Sequence, residues 1–180
     1  TQKHFQETLD YVEALKNLLG LTNLRMLTPD PQLVRNIDAG GELWKTQPNR
    51  CCWMRKVEPL EREIKEAGYT ALITGRKKFQ TNERHEMDSI ELDEQGIFKI
   101  NPLATWTKDD IAAEFKRRNL PQHPLVAKGY LSIGCAPCTR PVKAGEDERA
   151  GRWAHTAEFP GGEQKVECGL HVPQGADWEV

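Results

Sequence analysis

Apolar residues recur at three- and four-residue spacing through Phe5, Leu9, Val12, Leu15, Leu18 and Leu19, a stripe that predicts an amphipathic helix stopped at Gly20. The short apolar run Leu24-Arg25-Met26-Leu27 then predicts a buried strand. Asp30-Pro31 supplies an N-cap and a first-turn proline for a short helix through Ile37. After the Gly40-Gly41 break, Cys51 to Lys56 read as helical, and Leu60, Ile64 and Ala67 carry a helical face on to Gly68, with Pro59 kinking or restarting it. Thr70 to Thr74 has the short apolar style of a strand in a parallel sheet. Ile90–Asp93 and Ile97–Ile100 flank Glu94-Gln95-Gly96 as a hairpin, and Thr107 with Asp110 opens a helix that ends at Asn119. Strands that follow helices in this way predict an α/β layer fold.

Beyond Pro121 the periodicity fails. Pro121, Pro124, Gly129, Gly134, Pro137 and Pro141 forbid long helices, so these loops need an organiser other than backbone ladders. Composition narrows the class. The 180 residues suffice for one domain, and 29% charged residues, 38% hydrophobic residues and a net charge of −2 describe an ordinary globular chain. Nucleic-acid-coating and disordered classes are thereby disfavoured. No apolar run of membrane-spanning length and no apolar leader is present, and five clustered cysteines suit a reducing, cytoplasmic location better than a disulfide framework.

The cysteines carry the chemistry. Cys135 and Cys138 form a C-x-x-C pair that a tight turn can aim at one point, and Cys51-Cys52 form a tandem pair about 80 residues upstream. Four thiolates complete the shell of a structural zinc or an iron–sulfur cluster. Neighbouring side chains converge poorly on one small tetrahedral ion, which favours the cluster while zinc stays open. Cys168 is left over as a working thiol, with Lys165 and His171 nearby to favour its thiolate. Lys56, four residues after Cys52, places an ammonium over the sulfurs or over an anion beside them; its bland reading is a surface lysine. Arg76, in the basic run Arg76-Lys77-Lys78, lies beyond the carboxyl end of a predicted strand, where α/β sheets bind ligands. Arg149 and Arg152, three apart, can converge on one phosphate or sulfate, against the alternative of salt bridges to Glu146, Asp147 and Glu148.

These blocks resemble the assimilatory adenylyl-sulfate reductases, kin of the phosphoadenylyl-sulfate reductases. The likeness is carried by Cys51-Cys52 leading to Arg55-Lys56-Val57-Glu58-Pro59-Leu60, by Thr74-Gly75-Arg76, by Tyr130 to Arg140, by Gly145-Glu146-Asp147 through Trp153, and by Glu167-Cys168-Gly169-Leu170-His171. The resemblance implies an open, mostly parallel sheet flanked by helices, of the adenine-nucleotide alpha-hydrolase type. It implies a reductase domain over residues 1–153 and a mobile tail, residues 154–180, that carries a catalytic Cys168. It implies a 4Fe-4S cluster on Cys51, Cys52, Cys135 and Cys138, and a phosphosulfate held by Lys56, Arg76, Arg149 and Arg152. It also implies reduction of adenylyl sulfate through an S-sulfonated Cys168 that thioredoxin or glutaredoxin resolves, in a possible homo-oligomer. The family's first strands and phosphate loop precede a segment resembling Thr1 to Thr8, so this chain is expected to begin after them, and Ala154-His155 stands where the family often continues with tryptophan.

Three rivals remain. A phosphoadenylyl-sulfate reductase is the nearest. A cluster-containing RNA thiolase would need a basic surface that a net charge of −2 does not advertise. A non-enzymatic zinc module would make all five cysteines structural or incidental.

Overall fold

The computed structural model describes residues 1–158 and 165–170, apart from the side chains of Glu83, Ala157 and Glu158. They form two compact units: Thr1–Glu63 with the described residues from His123 onward, and Ile64–Gln122.

In the first unit, α1 (Gln6–Leu19) forms where the apolar stripe predicts it, and Gly20 closes it in the left-handed conformation at φ 61°. The run Leu24 to Leu27 is not a strand. Among the described residues it has no ladder partner, and Leu24 and Met26 stay 39% and 54% exposed. An apolar tetrapeptide becomes β only where a neighbouring strand offers its hydrogen bonds. Helix α2 (Pro31–Ile37) starts as read, with the Asp30 carboxylate accepting from the Gln32 and Leu33 amides at 2.6 and 3.4 Å.

Asp38, which closes α2, ties three elements together. Its carboxylate accepts from the Leu43 amide at 2.9 Å, at the start of α3 (Leu43–Thr46), and from the Arg55 guanidinium at 2.7 Å. Both side chains of the ion pair are almost completely buried, at 3% and 5% exposure. Burial opposes ionisation of Asp38, but Arg55 and the Leu43 N–H outweigh it and hold the carboxyl below its ordinary range. Asp38→Asn should therefore cost about 3–5 kcal/mol at neutral pH by leaving a buried guanidinium uncompensated. A depressed native pKa gives stability that is full above the unfolded value near 4 and lost as pH falls through the native one. The gap in unfolding free energy between wild type and variant, measured by urea titration, should accordingly be constant from pH 7 to about 5 and shrink toward pH 3. A gap independent of pH would rule this account out.

The next helical stretch is continuous but not uniform: α4 (Pro48–Cys52), a π turn (Trp53–Val57) and α5 (Glu58–Ala67). Pro59 lacks the N–H that an α-helix would direct at the Arg55 carbonyl, and the widened turn ends just before it, so the proline restarts the helix rather than bending it.

The second unit holds β1 (Ala71–Ile73), β2 (Ile90–Leu92), β3 (Phe98–Ile100) and α6 (Lys108–Arg117). Strand order is β1-β3-β2, with β1 parallel and β2 antiparallel to β3. The sheet is thus mixed over its described strands, within an α/β fold. Asp93 accepts from the Gln95 and Ile97 amides and Gly96 sits at φ 77°, which turns the expected hairpin. Thr107 and Asp110 form a reciprocal capping box on α6. Among the described residues no helix is long and apolar enough to cross a membrane.

Candidate metal and thiol site

Cys51, Cys52, Cys135 and Cys138 meet in the first unit, all between 6% and 9% exposed. They line one small pocket. Cys51 and Cys52 are the last residues of α4, where successive side chains point about 100° apart, so their sulfurs diverge from one backbone turn. The second pair brackets the 3₁₀ turn Ala136–Cys138, closed by the Cys138 amide donating to the Cys135 carbonyl at 3.0 Å. Thr139 braces it, its hydroxyl donating to that same carbonyl at 2.8 Å and accepting from the Gly134 amide at 3.2 Å.

Trp153 joins the pairs to the rest of the site. It is 1% exposed, adopts a left-handed backbone at φ 48°, and donates its amide to the Cys138 carbonyl at 2.9 Å. A bulky residue holds that conformation only when its surroundings fix it. Cys52, Cys135, Cys138 and Trp153 make one buried cluster, against which Trp44 and Cys168 pack. The fifth cysteine therefore arrives at a cluster that holds three of the other four.

Burial, and then the neighbouring sulfurs, push the Cys51 thiol up to about 11 and the Cys138 thiol up to about 12. Cys52 rises for the first of these reasons. Among the described residues no group of three or more His, Cys, Asp or Glu side chains is arranged to hold a metal ion. The donor set nonetheless fits a metal group: four buried thiols surround one cavity, and burial and their mutual repulsion oppose their charging until a cation shares the space.

Cations crowd the same place. The Lys56 ammonium lies 5.9 Å from the Trp153 ring centroid, that of Lys165 5.6 Å, and the Arg152 guanidinium carbon 4.2 Å. Burial opposes the charge on Lys56, but the sulfurs of Cys135, Cys52 and Cys168 outweigh it and raise its pKa. Burial, and then Arg149, lower that of Arg152. Arg149 and Arg152 do converge: each donates from its Nη1 to the Ser132 hydroxyl, at 3.5 and 3.4 Å. Arg149 also donates to the Val166 carbonyl at 2.8 Å. Arg76 belongs to the second unit, 8% exposed, where its guanidinium binds Glu91 and the Asn101 side-chain oxygen. His171 lies outside the described residues.

Hydrophobic periodicity does not point to Gly134 or Gly151, whose roles are steric. A Cβ on Gly134 would stand 2.6 Å from the Arg152 guanidinium, and one on Gly151 would stand 2.1 Å from the Arg140 carbonyl oxygen. The first makes room for a cation; the second lets two backbone segments touch, with the Arg140 amide donating to the Gly151 carbonyl at 3.0 Å beside the bridge between Thr139 and Arg152.

Fold and site together define an α/β protein built around a cluster of buried cysteines. Residues 1–141 match the model of the phosphoadenosine phosphosulfate reductase domain. The chain is 46% identical over 173 residues to adenosine 5'-phosphosulfate reductase of Chelativorans sp. strain BNC1, covering 96% of this chain and 66% of that one. It is 41% identical over 173 residues to adenosine 5'-phosphosulfate reductase 2 of Bacillus subtilis strain 168, covering 95% and 70%. A crystal structure of phosphoadenylyl-sulfate reductase from Candida auris, as a phosphate complex, superposes with a TM-score of 0.65 at 31% identity over 76% of this chain and 66% of that one. The chain belongs to the phosphoadenosine phosphosulfate reductase domain family. It spans about two thirds of the length of relatives such as the Chelativorans protein, 66% in that case.

Proposed function

We propose that the protein reduces adenylyl sulfate to sulfite and AMP with electrons from a thioredoxin- or glutaredoxin-type dithiol. The observation that carries this reading is the packing of Cys168, the cysteine outside both pairs, against Cys52, Cys135, Cys138 and Trp153, under the cations Lys56 and Arg152. The Cys168 thiolate attacks the sulfur of adenylyl sulfate; an S–S bond forms, the S–O bond breaks, and AMP leaves with the electron pair. Lys56, Arg149 and Arg152 orient the anion and meet the charge that develops on the departing phosphate. Arg76, buried against Glu91 and Asn101, is proposed as a further residue that binds the phosphosulfate. One thiolate of the partner then attacks the Cys168 sulfur and releases sulfite, and its second thiol resolves the mixed disulfide. The dithiol loses two electrons and the sulfo group gains them. Residues 154–180 act in this scheme as the tail that brings Cys168 to the substrate and then to the reductant.

Cys51, Cys52, Cys135 and Cys138 would hold a 4Fe-4S cluster, which supplies fixed charge and architecture when bound. Protein purified anaerobically should be brown and contain about four irons and four acid-labile sulfides per chain, as a four-cysteine cubane requires. One zinc and no sulfide would refute the cluster.

Relatives are named for two substrates: adenosine 5'-phosphosulfate for the Chelativorans and Bacillus proteins, phosphoadenosine phosphosulfate for one from Emericella nidulans that is 38% identical over 177 residues. The tandem cysteine pair favours the first. In protein extended to its relatives' full length, kcat/KM should be higher for adenylyl sulfate than for phosphoadenylyl sulfate, and the reverse order would make the second reading correct. Cytoplasmic location accords with five free cysteines.

A further inference from the structure

Cys168 reaches the four-cysteine site on a stretch of backbone that belongs to no helix or strand. Side chains must therefore seat it, and Lys165 provides the principal contacts. Its amide donates to the Thr156 hydroxyl at 2.9 Å, its ammonium donates to the Asn49 side-chain oxygen, and the same ammonium stands 5.6 Å from the Trp153 ring centroid. Asn49 lies in α4, two residues before Cys51, while Trp153 is inside the cysteine cluster. One side chain thus bridges from the Cys168 segment to the helix that carries the tandem pair and to the indole behind both pairs. Arg149 holds the next residue, Val166, by its carbonyl.

We propose that Lys165 is a positioning residue that seats Cys168 against the four-cysteine site for the transfer step. The proposal rests on the reading of Cys168 as the nucleophile. Transfer requires the thiolate within about 3–3.5 Å of the sulfur under attack, in line with the leaving oxygen. A segment without secondary structure visits such a pose rarely unless its side chains anchor it. An ammonium suits this anchor because it satisfies a side-chain oxygen and an aromatic face at once. Its long stem spans the gap while packing on apolar surface.

The test compares wild type with Lys165→Met, which keeps the stem and removes the ammonium, and with Asn49→Ala, which removes its partner on α4. In anaerobically purified protein without substrate, amide hydrogen exchange at Val166 to Gly169 should be about tenfold faster in both variants, the effect of losing one charge-assisted contact. With saturating adenylyl sulfate and no reductant, single-turnover sulfonation of Cys168 should be about tenfold slower, with iron content unchanged. Lys165→Arg should restore both rates. Unchanged exchange in both variants would overturn the proposal. So would a defect confined to low substrate concentration, which would make Lys165 an anion contact instead. If wild type fails to sulfonate Cys168 at all, the reading of the reaction fails, and the exchange comparison still decides the seating.

Discussion

Cys168→Ser should reduce sulfite formation by a factor on the order of 10⁴ or more while leaving the iron content of the protein intact. The loss follows from the nucleophile itself. A thiol is a few per cent ionised near neutrality, whereas a serine hydroxyl in the same place needs a strong base, and the described neighbours of residue 168 offer cations instead: Lys56, Arg152 and Lys165. Iron should stay because Cys168 packs against the four-cysteine group without lining its cavity. Wild type incubated with adenylyl sulfate and no dithiol should gain about 80 Da on Cys168, one SO₃ group, by intact-mass and peptide mapping. Iron loss in the serine variant, or the added mass on another cysteine, would show the five cysteines to be divided wrongly.

The second large effect is expected at a residue with no side chain. Gly151→Ala places a methyl group 2.1 Å from the Arg140 carbonyl oxygen, and the obstacle is backbone, which cannot rotate aside. The chain must separate there, losing the hydrogen bond from the Arg140 amide and the bridge between Thr139 and Arg152, both within two residues of Cys138 or Trp153. A cost of about 3 kcal/mol or more follows, at the upper end of overpacking. Thermal unfolding should fall correspondingly and metal retention with it. Gly134→Ala is the control: the atoms nearest its added methyl group belong to the Arg152 guanidinium, a side chain that can shift where backbone cannot. That variant should stay folded and bind substrate about tenfold more weakly, the share of one charge-assisted contact. Equal stability of the two variants in a melting experiment would contradict the distinction between yielding and unyielding neighbours.

Local chemistry explains which parts of this molecule could be read from the chain. Helix α1, the Asp30 cap, the capping box of Thr107 and Asp110 and the turn at Gly96 are decided by residues a few positions apart, and all formed where the sequence places them. The run Leu24 to Leu27 depends on a distant strand partner, and its apolar character misleads. At the site, spacing joins Cys51 to Cys52 and Cys135 to Cys138, and Arg149 and Arg152 do share a target in Ser132. The ion pair of Asp38 with Arg55, the meeting of Lys165 with Asn49 and the steric roles of Gly134 and Gly151 join residues far apart in the chain or depend on an absent atom, and periodicity carries no trace of either.

The π turn over Trp53–Val57 bears on how this helix tolerates change. Such a turn takes one residue more than an α turn to complete the same circle, so each residue in it advances the helix by less than the usual rotation of about 100°. The extra residue is absorbed within the turn, and Cys51 and Cys52 keep nearly the angle to Leu60 that an unbroken α-helix one residue shorter would give them. Deleting one residue between Trp53 and Val57 should therefore restore regular winding with the tandem pair still facing the same way relative to Leu60. A second deletion there, with no wide turn left to absorb it, should swing the pair by about 100° and be far more damaging.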